Sequence, residues 1–153
     1  MYAQLREAWT ALTGPGGQFE IVETEVRGEL LREYKHAPPT LRAFWALTAG
    51  RDDKDYLVYD DERWTYGEAR RQVASAANWL LDHGVQPGDR VAIAMRNYPE
   101  WMLAYWAIVS MGAVAVGMNA WWVSQEMHFA LQDSAPRVLI CDKERLLRFQ
   151  EIS

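Results

Sequence analysis

Cysteine is almost missing from this 153-residue chain: Cys141 stands alone, so no intrachain disulfide can form. Beside Val138-Leu139-Ile140 it reads as a small hydrophobe on a strand rather than a nucleophile. An excess of positive charge is missing too. The net charge of −5 gives no general electrostatic reason to bind nucleic acid or anionic lipid, and no nucleic-acid partner is expected. The start carries no leader-like apolar run, because Arg6 and Glu7 interrupt MYAQLREAWTAL, so a cytoplasmic location is expected. His36, His83 and His128 are scattered, without H-x-x-x-H spacing or neighbouring cysteines, and no metal site is expected. His83 reads as the end of a helix, where positive charge is favoured.

Phosphate-binding loops are absent as well. Gly14-Pro15-Gly16-Gly17 has no following Lys and reads as a turn, and neither G-x-G-x-x-G nor G-x-x-x-x-G-K-[ST] occurs. No G-x-S-x-G elbow or S-x-x-K frame supports a serine nucleophile. Asp52-Asp53-Asp55 and Asp60-Asp61-Glu62 flank strands at turns, where Asp bonds nearby backbone. Asp133-Ser134 reads as a helix end before Pro136. Lys143, Arg145 and Arg148 are expected on a solvated helix face.

The most informative absence is of charge between Glu100 and Glu126. The run is long enough to raise the question of a membrane span. Ser110, Gly112, Gly117 and Asn119 divide it into helix, strand and loop, so no transmembrane span is expected. Residues 91–95 (VAIAM) and 113–117 (AVAVG) are continuously apolar, as parallel strands covered on both faces are. A helical pattern with Pro99 and Glu100 at its start joins them, giving a βαβ crossover.

Before the crossover, residues 1–13 read as a short helix with Leu5, Ala8, Trp9 and Leu12 on one side. FEIVETEVRGELLREY reads as one or two exposed strands or an extended arm. Thr40 caps a helix through LRAFWALTA, and YLVY with RWTY forms a hairpin. Thr65 and Glu68 make a capping box for a helix reaching about His83, with Arg70, Arg71 and Gln72 mainly outward. After the crossover, Ser124 caps a helix, RVLIC is a third parallel strand, and KERLLRFQ is a last helix.

The expected fold class is therefore α/β: a small, mainly parallel sheet with helices on both faces, plus an N-terminal hairpin or arm. Residues 1–39 are assigned to the arm, and 40–153 to the first α/β portion of a larger, here incomplete, domain. The 8 tryptophans are more apolar surface than three strands readily cover, so packing against a further domain or in a homo-oligomer is expected. Trp121 and Trp122 follow the carboxyl end of a parallel strand, where open α/β sheets place ligands. Adjacent indoles cannot share one face, which leaves two readings: a subdomain or subunit contact, or the wall of an acyl or pantetheine tunnel.

PPTLR at 38–42, DERWTYGE at 61–68, GVQPGDRVAI at 84–93, RNYPEW at 96–101, GAVAVGMNAWW at 112–122 and DSAPRVLI at 133–140 together resemble the N-terminal portion of acyl-CoA synthetases. These belong to the class I adenylate-forming superfamily. The resemblance runs from about Thr13 to Leu147, and the AWW form is similar to fatty-acid and related CoA ligases. It implies a two-step reaction in which a carboxylic acid attacks the α-phosphate of ATP, with Mg²⁺, and CoA then displaces AMP. The family's phosphate loop, aromatic-Thr-Glu motif, adenosine-binding Asp and C-terminal-domain Lys come later than these residues, so no catalytic or cofactor-binding residue is carried over. Trp121 and Trp122 remain as substrate-tunnel candidates. The chain alone is expected to be inert and not to hold ATP, Mg²⁺ or CoA tightly. Gly117-Met118-Asn119 departs from a Pro-containing family turn and keeps the bend with more freedom. A free-standing interaction module, or an aryl-acid or peptide-synthetase type of ligase, are the alternatives.

Overall fold

A computed structural model describes residues 1–151. The chain divides into two compact units, one from Met1 to Pro39 and the other from Thr40 onward.

The first unit opens with α1 (Tyr2–Thr13), on which Leu5, Trp9 and Leu12 are all exposed. The chain then doubles back so closely that a Cβ on Gly17 would lie 2.4 Å from the Leu12 carbonyl oxygen, which only glycine avoids. The segment left open between strand and arm is a hairpin: β1 (Ile21–Val26) pairs antiparallel with β2 (Glu29–Tyr34). Its turn residues Arg27 and Gly28 both have positive φ, the geometry that matches the twist of the flanking strands. Glu20 and Lys35 close its open end at 2.9 Å.

The second unit begins with α2 (Leu41–Ala46), whose Ala43 N–H donates to Thr40 Oγ1 at 3.0 Å. A hairpin follows, β3 (Asp55–Tyr59) with β4 (Glu62–Thr65), and then α3 (Tyr66–Asp82). Both halves of the expected capping box form: Glu68 N–H donates to Thr65 Oγ1 at 3.2 Å, and Thr65 N–H to Glu68 Oε2 at 2.9 Å. Arg70 departs from the outward expectation. It is partly buried, pairs with Asp52 and donates to the Thr48 carbonyl at 3.1 Å, because the turn after α2 folds back over the start of α3.

Next come β5 (Arg90–Ala94), α4 (Pro99–Ser110), β6 (Val114–Gly117), α5 (Ser124–Ser134), β7 (Val138–Cys141) and α6 (Lys143–Gln150). The three strands are parallel, in the order β6-β5-β7. Central β5 alternates its buried side chains. Val91 and Ile93 pack with Leu80 of α3 and Ala104 and Ile108 of α4, while Ala92 and Ala94 pack with Met118 and Met127 on the other side. Helices thus cover both faces of the sheet, and the fold is α/β.

The uncharged run is explained by α4. Ala104 and Ile108 face the sheet, whereas Leu103, Trp106 and Ala107 pack with Trp45 of α2 and Ala69 and Val73 of α3. A helix covered on both sides has no face to spare for charge. Trp45 and Trp106 stack with ring centroids 4.9 Å apart, and the Trp106 indole N–H donates to Tyr56 Oη at 2.6 Å. Among the described residues, no helix is long and apolar enough to cross a membrane. Ser124 does not cap α5 as expected. It is the first helical residue, Val123 precedes it, and the Ser124 hydroxyl bonds Glu151 instead.

Candidate ligand mouth at the carboxyl ends of the strands

β5 lies between two strands that both follow it in sequence. The chain leaves β5 toward α4 on one face and leaves β6 and β7 toward α5 and α6 on the other. This reversal opens a crevice beyond the carboxyl end of β5, the place where open α/β sheets take ligands. Arg96, Asn97 and Tyr98 follow β5, Asn119 to Val123 follow β6, and Asp142 follows β7.

The adjacent indoles separate as their adjacency requires. Trp122 is half-buried against the cluster of Ala92, Ala94, Met118 and Met127. Trp121 is 70% exposed, and its backbone N–H donates to Asn119 Oδ1 at 2.9 Å. The Arg96 guanidinium lies over the Trp121 ring, 4.7 Å from the centroid, as a cation over a π face does. Tyr59, Arg96, Asn97, Tyr98, Ala120 and Trp121 line a cleft of about 290 Å³. A mainly apolar hollow of about 320 Å³ adjoins it through Tyr59, Asn97 and Tyr98, and ends at Trp101 and Met102. A third hollow carries Glu62, Glu100, Cys141 and Asp142. Tyr59 and Tyr98, edge to face with centroids 5.9 Å apart, stand where the three meet.

The solvated-face expectation for KERLLR holds for Lys143, which is exposed, and fails for Arg145 and Arg148. Arg145 is 2% exposed, while Leu146 and Leu147 beside it are exposed. Its Nε and Nη2 donate to the Ala120 carbonyl at 2.8 and 2.6 Å, and its Nη1 to Asp142 Oδ2 at 3.0 Å and Glu144 Oε2 at 2.7 Å. Arg148 adds donations from Nη1 to the carbonyls of Ala120 at 3.0 Å and Trp122 at 2.8 Å. Arg145 and Arg148 turn inward because the loop after β6 presents the Ala120 and Trp122 carbonyls to them. Asp142 also accepts from the backbone N–H groups of Arg145 at 3.0 Å and Arg96 at 3.1 Å. Burial pushes its carboxyl up, but those two N–H groups and the Arg145 guanidinium outweigh this and hold it below the usual carboxylate range. Burial, then the Asp142 charge, pushes the Cys141 thiol up, which keeps it protonated at neutral pH.

The sequence reading missed Arg96, Asp142 and Arg145. The signal for the pair was Asp142 three residues before Arg145 at a helix start, where a carboxylate caps and a guanidinium returns to it. Among the described residues no group of three or more His, Cys, Asp or Glu is placed to hold a metal ion. The mouth offers a cation, an amide and aromatic faces, a set chemically suited to an anionic or planar ligand.

The fold is that of an α/β module of the kind found in the N-terminal domains of adenylate-forming enzymes. The match is specific: residues 44–152 fit the model of the AMP-binding enzyme family, and the chain belongs to that family. It is 34% identical over 107 residues to a 3-hydroxybenzoate–CoA ligase of Aromatoleum sp. (strain CIB), covering 70% of this chain and 20% of that protein. It is 37% identical over 100 residues to a long-chain-fatty-acid–CoA ligase of Mycobacterium bovis, covering 61% of this chain and 17% of that protein. The structure is similar to that of the anthranilate CoA ligase AuaEII, with a TM-score of 0.71 and 27% identity over 74% of this chain and 22% of that one. The chain thus spans a fifth or less of the length of these two curated relatives.

Proposed function

We propose that these residues form the first α/β portion, residues 40–153, with a preceding arm, residues 1–39, of the larger N-terminal domain of a cytoplasmic acid–CoA ligase. The carrying observation is the family match over 44–152 in a chain whose similar proteins include several CoA ligases by name, beside malpinin synthetase and enterobactin synthase component F. The reaction is adenylation of a carboxylic acid by ATP with Mg²⁺, followed by transfer to CoA. The acid is fatty or related, which rests on the Ala120-Trp121-Trp122 form, while the relatives include both aryl and fatty-acid ligases.

In this reading Trp121 forms part of the wall of the acyl or pantetheine route, supported by its exposed indole at the mouth. Trp122 backs that wall from the packed side. Arg96 supplies a positive charge to a ligand passing over Trp121. These residues bind and orient. The groups that would hold the phosphates and Mg²⁺ lie outside these residues, since no Ser/Thr/Gly-rich loop ending in Lys occurs in them. The open edges of β6 and β7 pack against the rest of the domain, or against a second copy of the chain.

ATP–pyrophosphate exchange tests the reading. The native gene product that includes these residues is expected to exchange pyrophosphate in the presence of fatty carboxylic acids, and the 153-residue chain alone is expected to show none. Exchange by the chain alone would overturn the placement of the phosphate-holding groups. A gene product inactive with every carboxylic acid would end the ligase reading.

A further inference from the structure

We propose that Arg145 is a positioning residue for the Trp121 wall, acting through the Ala120 carbonyl and the Asp142 carboxylate without touching the ligand. The inference rests on the ligase reading only for what the wall binds. Arg145 is the one buried charged residue among those described. Its fork closes on two loops at once: two donors take the Ala120 carbonyl, and a third takes Asp142. Arg148 fixes the Trp122 carbonyl, so the backbone is pinned on both sides of Trp121 while the indole between stays exposed. The same Asp142 accepts the Arg96 N–H, and Arg96 is the cation lying over that indole. Both members of the Arg96–Trp121 pair are therefore held in register by the Arg145–Asp142 ion pair. Packing alone does not account for this orientation of α6, because it buries an arginine and leaves Leu146 42% and Leu147 54% exposed.

Lysine keeps the charge but cannot reproduce the fork, so Arg145→Lys isolates positioning from charge. In the chain itself, hydrogen exchange of the 119–123 amides is expected to speed up about tenfold, the scale of one lost charge-assisted hydrogen bond. Val73→Ala, in the separate cluster under α4, serves as the control of comparable destabilisation and should leave those amides unchanged. Equal exchange in the two variants would overturn the proposal. If Arg145→Lys does not fold, Arg148→Gln removes the Trp122 carbonyl contact and should move the same amides in the same direction. In the active gene product, Arg145→Lys should raise KM for CoA or the acid about tenfold with kcat within about twofold. A fall in kcat with KM unchanged would also overturn it. A wild-type product without ligase turnover would end the ligase reading, and the exchange comparison would then decide the positioning claim alone.

Discussion

Asp142 caps α6, pairs with Arg145 and takes the Arg96 N–H, so one carboxylate joins the β5 and β7 ends of the mouth. Its charged form is favoured in the fold, and its folded pKa lies below its unfolded value near 4. The stability it contributes is therefore fully present above about pH 4 and is lost as pH falls through the depressed folded value. Comparing urea midpoints at neutral pH and near pH 3 for wild type and Asp142→Asn tests this. The wild type should lose more stability on acidification than the variant, and parallel losses would assign the acid sensitivity elsewhere. The cap and its pair had a signal in the Asp142–Arg145 spacing, but the burial of Arg145 and the link to Arg96 did not. A basic residue on a short helix ordinarily faces water, and what draws Arg145 inward is the Ala120 main-chain carbonyl, far off in sequence, which no side-chain pattern records.

Among the elements, α3 shows how far local signals carry. Thr65 and Glu68 form the reciprocal cap, and the Thr65 N–H and hydroxyl hold the Glu68 carboxyl below its usual range. Thr65→Ala should lower stability by about 1 kcal/mol, the usual cost of a lost N-cap, measured by urea denaturation. No change would mean that tertiary packing alone fixes the start of the helix. The crossover was as legible as the cap, because Ala104 and Ile108 on one side of α4 and Leu103, Trp106 and Ala107 on the other left a run without charge. The strand order was not. Val91 pairs with Ala115 and Val138 alike, and nothing in either apolar strand says on which side of β5 it lies. Trp121 and Trp122 were legible as a divided pair, but the Arg96 over Trp121 was not, since it comes from a loop of another strand.

At the scale of the whole molecule, the buried clusters all lie in the second unit, and no residue of Met1–Pro39 is buried. A two-stranded hairpin is marginal in water by itself, and both edges of the β1–β2 pair are unpaired. Local opening should therefore begin there. Brief trypsin digestion followed by mass spectrometry should find the first cuts at Arg27, Arg32 or Lys35, before Arg70, Arg71 or Arg90. Earlier cleavage within α3 or β5 would show that the second unit opens first.

The stacked indoles of Trp45 and Trp106 have an optical consequence. Their rings lie 4.9 Å apart and within 17° of parallel, one carried by α2 and the other by α4. Chromophores so placed share their excitation. The circular dichroism of the indole bands therefore reports, without any label, whether the short helix at the start of the second unit is seated on the crossover helix.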